Sequence, residues 1–128
     1  MNKTPDYKML TPRPTPSWQE WILWILRQRL RLQVTGESML PTLVPGDIVL
    51  VDQNAYQKSS PQIGEIVLAH HPYQQNLSII KRIADITPEG RLVLHSDNRK
   101  AGSDSRQFGT ISINRLIGKV TCRSTLSQ

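Results

Sequence analysis

From Gln33 onward, short runs of alternating apolar and polar residues are separated by Pro, Gly, Asn and Asp. Such punctuation marks strands bounded by turns. The pattern predicts strands over 47–52, 65–69, 77–86, 91–95 and 116–121. PGD at 45–47, IGE at 63–65 and PEG at 88–90 read as entries and turns. The fold class expected is mainly β. Ahead of the strands, Ser17-Trp18-Gln19-Glu20 has the pattern of a capping box, with Ser17 as the N-cap and Glu20 reaching back. It predicts one N-terminal amphipathic helix over 17–32, with its body from Trp18 to Leu30. Trp18, Trp21, Ile22, Ile25 and Leu32 fall near one face. Arg27, Arg29 and Arg31 crowd the end, where positive charge suits the helix dipole. Residues 1–16 hold four of the nine prolines and are expected to be extended and flexible. The organisation expected is therefore a proline-rich segment over 1–16, a helix over 17–32 and a catalytic core over 33–128.

A chain of 128 residues fits one domain. Its apolar fraction is 38% with seven aromatic residues, so the core should be built of Ile, Leu and Val. The formal charge of +6 is open to nucleic acid, an anionic membrane or an acidic partner. The β region carries no basic stripe interleaved with aromatics, so nucleic acid is not expected. The Trp/Arg helix has two readings. It packs on the domain or a partner, or residues 18–31 make a peripheral membrane contact. The longest apolar run, WILWIL at 21–26, is six residues long, whereas a spanning helix needs about 20. The polar, proline-rich start resembles no secretory signal, and a cytoplasmic location is expected. Cys122 is the single cysteine, which excludes an internal disulfide and a cysteine-based metal site. His70, His71 and His95 lack zinc-motif spacing, and no metal or cofactor is expected.

The candidate chemistry centres on GESMLPT, residues 36–42. A serine nucleophile needs a base, an oxyanion site and a fixed rotamer. The histidines could supply a base. So could a lysine held neutral by burial, which disfavours its charged form. In NLSIIKRIADI, 76–86, alternation sets Lys81 on one face with Ile79 and Ile83. Taken alone, that lysine could equally lie along an edge with its head in water. The Ser38 amide is the first candidate oxyanion donor. Gly36, two residues earlier, offers no hydroxyl, and Pro41 stiffens the exit from the turn.

GESMLPTLVPGDIVLV resembles the nucleophile box of type I signal peptidases, the S26 serine proteases with a Ser-Lys dyad. IIKRI is similar to their lysine box, and HSDNRKAGSDSRQFG to their third box. The resemblance implies a β protease core of the signal peptidase/LexA type. It implies Ser38 as nucleophile and Lys81 as general base, with Gly36, Glu37, Met39 and Pro41 at the nucleophile turn. It also implies Asp104 and Arg106 as a structural ion pair, with Ser103 and Ser105 beside them. The third box opens on Ser96, where the family usually has Gly. The serine that orients the lysine in many signal peptidases falls on Gly102.

Within that family, VLAHHPYQQNLSIIKRI resembles the small proteases that mature nickel-type superoxide dismutase. The resemblance implies a dismutase precursor as protein substrate, cut to free the N-terminal amine that its nickel site uses. Two other proteolytic readings remain: a signal peptidase acting on exported proteins at the membrane, and a self-cleaving LexA-type protein. No Ala-Gly or Cys-Gly pair precedes Ser38 for the latter. A non-enzymatic basic binding module is the reading outside proteolysis.

Overall fold

Five strands form where alternation predicts them. A computed structural model describes residues 29–124. In it the five are β2 (Ile48–Asp52), β3 (Ile66–His70), β4 (Ser78–Ile86), β5 (Leu92–His95) and β6 (Leu116–Ser124). The first four begin one residue later than expected, and β6 runs on to Ser124. With β1 (Leu30–Gln33) they make a six-stranded antiparallel sheet in the order β1-β2-β6-β3-β4-β5. The mainly β class is confirmed. Two one-turn helices, α1 (Ala55–Lys58) and α2 (Ser105–Phe108), interrupt the connections.

Strand β1 corrects the end of the expected helix. The helix assigned to 17–32 lies outside the described residues as far as 28, but Leu30–Gln33 is strand. Leu30 and Leu32 alternate with Arg31 and Gln33, and they pair with Val51 and Val49 of β2. Both leucines pack against buried Val34, Met39, Leu43, Val49, Val51 and Leu68. Cross-strand burial thus overrides the helical reading of an Arg-rich run.

The opposite face of the sheet carries a second cluster: Val67, Ala69, Ile83, Leu92, Leu94, Phe108 and Ile111. Leu68 belongs to one cluster and its neighbours Val67 and Ala69 to the other, as the two-residue period of a strand requires. The pairing of β4 is uneven, and this shapes the site. Strand β3 pairs Ser78 to Arg82, whereas β5 pairs only from Arg82 to Ile86. Residues 78–81 therefore have no strand neighbour on their other side among the described residues.

Ile83 is fully buried at the centre of its cluster. Ile83→Ala should cost about 2 to 5 kcal/mol, read by urea unfolding. A loss below about 1 kcal/mol would contradict this packing.

Candidate active site

The chain leaves β1 and turns at Gly36, whose φ of +80° favours glycine. Met39 and Leu43, both 2% exposed, then drive the turn into the core. The Leu43 amide donates to Met39 O at 2.9 Å. Ser38 stays at the surface of the turn, half-buried. Pro41 is exposed and follows a cis peptide. Asn98 holds the turn from outside. Its amide donates to Ser38 O at 2.8 Å, and its side-chain nitrogen donates to Glu37 O at 3.0 Å.

Lys81 shares its face of β4 with Ile79 and Ile83, and it is 4% exposed. Lys81 does stand on the open stretch of β4, but its head is buried rather than in water. Burial pushes the Lys81 amine below the ordinary lysine value, and the nearby Asp104 carboxylate partly opposes this. Nζ donates to Ser96 Oγ at 3.0 Å. It makes no hydrogen bond to Ser38, whose amide and hydroxyl have no partner among the described residues. The serine and the lysine meet at Gly102. A Cβ built there would lie 2.9 Å from Ser38 Cβ, 3.8 Å from Ser38 Oγ and 3.3 Å from Lys81 Nζ. A side chain at 102 would fill the space between the two reactive groups.

Two clefts, each of about 280 Å³, share Ser38, Ile79 and Lys81 in their walls. One is lined by Leu32, Val34, Met39, Leu68 and Ile80. The other is lined by Gly36, Glu37, His71, Leu77, Gly102 and Ser103, among others. His71 is 8% exposed in this wall. Its Nδ1 accepts from the amides of Tyr73 and Gln74, both at 3.0 Å, and its ring meets Phe108 edge-on. No cluster of metal-ligating side chains occurs among the described residues.

The expected ion pair forms. Arg106 donates to both Asp104 oxygens, at 2.6 and 3.1 Å. Asp104 is 1% exposed, and burial alone would disfavour its charge. The Arg106 guanidinium and the amides of Ser96 (2.7 Å) and Arg106 (2.9 Å) outweigh that penalty, holding the carboxyl well below the usual range. Ser105 is not in the cleft; its Oγ accepts from the Leu94 amide at 2.8 Å and ties α2 to β5.

Two supports were not singled out from the sequence. Asp97 receives Arg82 at 2.8 and 2.9 Å and the Thr42 hydroxyl at 2.6 Å. It thereby bolts the nucleophile turn to β4 beside Lys81. Asn98 is the second. Both stand in the "SDN" opening of the third box, and Arg82 follows the lysine directly, so the signal was their position inside the boxes.

A surface serine beside a buried lysine, at the junction of two clefts on a β sheet, is the outline of a serine peptidase. Known sequences agree. The family described as "Signal peptidase, peptidase S26" matches residues 22–87 and 84–125. Mitochondrial ATP-independent inner membrane protease subunit 1a of Arabidopsis thaliana is 30% identical, over 70% of this chain and 67% of its own length. Signal peptidase I of Bacillus caldolyticus is 25% identical over 70% and 76%. "Probable signal peptidase I-1" of Synechocystis sp. is 23% identical over 70% and 68%. The chain belongs to the peptidase S26 signal peptidase family and is a serine-type endopeptidase.

The depressed Asp104 carboxyl makes a testable contribution to stability. A lowered folded value stabilises fully above the unfolded value of about 3.9 and is lost as pH falls through the folded value. Asp104→Ala, which also orphans the Ser96 amide, should cost about 2 kcal/mol at pH 7. Below about pH 4 the variant should lose stability less steeply than wild type. Equal urea midpoints at pH 7 would refute the structural role. Gly102→Ala, placed against Ser38 at a φ of +73°, should lower peptide cleavage about 100-fold or more. Wild-type turnover in that variant would mean that the serine and lysine do not work across this gap.

Proposed function

We propose that Ser38 is the nucleophile and Lys81 the general base of an endopeptidase that removes the N-terminal propeptide of a nickel-type superoxide dismutase precursor. The observation that carries the dyad is the convergence of the Ser38 hydroxyl and the buried Lys81 amine on the space left open by Gly102. A buried amine with a lowered pKa has a lone pair to accept a proton.

The substrate enters as an extended strand between residues 33–35 and the side of 78–81 that has no strand neighbour among the described residues; both segments line the same cleft. The small cleft volumes suit short side chains near the cut. Neutral Lys81 takes the Ser38 hydroxyl proton as Oγ bonds to the scissile carbonyl carbon. The resulting oxyanion accepts from backbone amides, first among them the Ser38 N–H, which has no partner among the described residues. Each such donor contributes about 3 to 4 kcal/mol. Lys81 returns the proton to the leaving amine, and the C–N bond breaks. Water, deprotonated by Lys81, then attacks the acyl-enzyme and restores Ser38.

The dismutase precursor is favoured by the resemblance over 67–83 and by chemistry, since a nickel site built on a new N-terminal amine requires such a cut. Cleavage of signal peptides from exported proteins is the second reading, favoured by the names of the similar peptidases. No helix among the described residues is long and apolar enough to cross a membrane. A cytoplasmic location, with peripheral membrane contact through 18–31, belongs to the first reading.

Mass spectrometry of a nickel superoxide dismutase precursor incubated with wild type, Ser38→Ala and Lys81→Ala tests both parts. One cut that exposes the mature N-terminus, made by wild type alone, is expected. Cleavage of a signal-peptide substrate but not of the precursor would transfer the assignment to the second reading. Full activity in Lys81→Ala would end the dyad. The wild-type rate should fall as pH drops, because the ammonium form has no lone pair, with a midpoint below the ordinary lysine value of about 10.4.

A further inference from the structure

We infer that Ser96 is the positioning residue of the base: its hydroxyl fixes the Lys81 amine so that the lone pair faces Ser38. The inference rests on the proposed dyad and adds to it the group that aims it. A neutral amine has two N–H bonds and one lone pair, on a long and flexible stem. To act on Ser38 it must spend an N–H elsewhere. Ser96 Oγ, 3.0 Å from Nζ, is the one hydrogen-bond acceptor that Nζ has among the described residues. Ser96 is 5% exposed, so water does not compete freely for that N–H.

Ser96 is itself immobilised. It follows the last residue of β5, and its amide donates to Asp104 at 2.7 Å, within the carboxylate that Arg106 also holds. The next residue, Asp97, is bound to Arg82 and Thr42. The acceptor is therefore tied to both the lysine strand and the nucleophile turn. Position 102, where the resemblance looks for the orienting serine, has no room for one. Any Cβ there approaches Ser38 Cβ to 2.9 Å. The hydroxyl comes from the first residue of the third box instead, and glycine occupies the place left behind.

A structural role for Ser96 and a positioning role predict different pH behaviour. The Oγ acceptor bonds the ammonium more strongly than the neutral amine, so removing it lowers the lysine pKa further. Ser96→Ala should reduce kcat about 10- to 100-fold with KM little changed. Its acid limb should move to lower pH and its melting temperature should stay near wild type. Ser96→Thr, which keeps the hydroxyl, should restore most of kcat. The substrate is whichever of the dismutase precursor and the signal-peptide protein wild type cleaves. The ¹³Cε titration of Lys81 in Ser96→Ala, which needs no substrate, should move in the same direction. If Ser96→Ala does not fold, Ser96→Cys replaces it, since a thiol fills the site but accepts weakly. Unchanged kcat and an unmoved Lys81 titration in a folded variant would overturn the inference. If Lys81→Ala and Ser38→Ala remain active, the dyad itself fails; if both are dead while Ser96→Ala is normal, only the positioning role fails.

Discussion

The burial of one amine governs the architecture of the site. Lys81 lies on an apolar face of β4 between Ile79 and Ile83, where its charged form is disfavoured. A protein gains no stability from such a residue. Below the unfolded lysine value the unfolded chain binds the proton more readily, so this burial works against folding at neutral pH. The surrounding apolar packing tolerates that loss, a familiar trade between stability and activity. Asp104 limits the effect, since its carboxylate favours the ammonium form. Its own charge is largely engaged by Arg106 and two amides.

Everything else holds a hydroxyl opposite that amine. The nucleophile turn is anchored from below by Met39 and Leu43 and from above by Asn98. Asp97 joins the turn to the lysine strand through Thr42 and Arg82. These bonds come from one loop, residues 96–98, between β5 and α2. Three segments far apart in sequence thus form one rigid unit, and a site on a rigid frame keeps its geometry. Beside this unit, residues 78–81 of β4 have no strand neighbour on one side among the described residues.

Much of this was legible beforehand. The five strands followed from alternation because each buries at least one face. Lys81 could be placed on the face of Ile79 and Ile83 from spacing alone. Its burial could not, because that depends on β3 and the 96–104 loop closing around it. Spacing alone does not separate helix from strand at β1, because Arg31 suits a helix end as well as an outward strand face. Only pairing with Val49 and Val51 decides between them. Ser96 and Gly102 each stood out as departures from the family pattern. Their complementarity is spatial: residues six apart in a loop both lie against the same amine.

The central claim is that Lys81 is a proton-poor base held against Ser38. The most direct test is NMR titration of ¹³Cε-labelled lysines, with the Lys81 resonance assigned by its loss in Lys81→Met. One lysine should titrate well below the usual value of about 10.4, and it should be the one that disappears in the variant. A Lys81 resonance that titrates with the remaining lysines would mean an ordinary surface ammonium, and the mechanism built on its neutrality would fall.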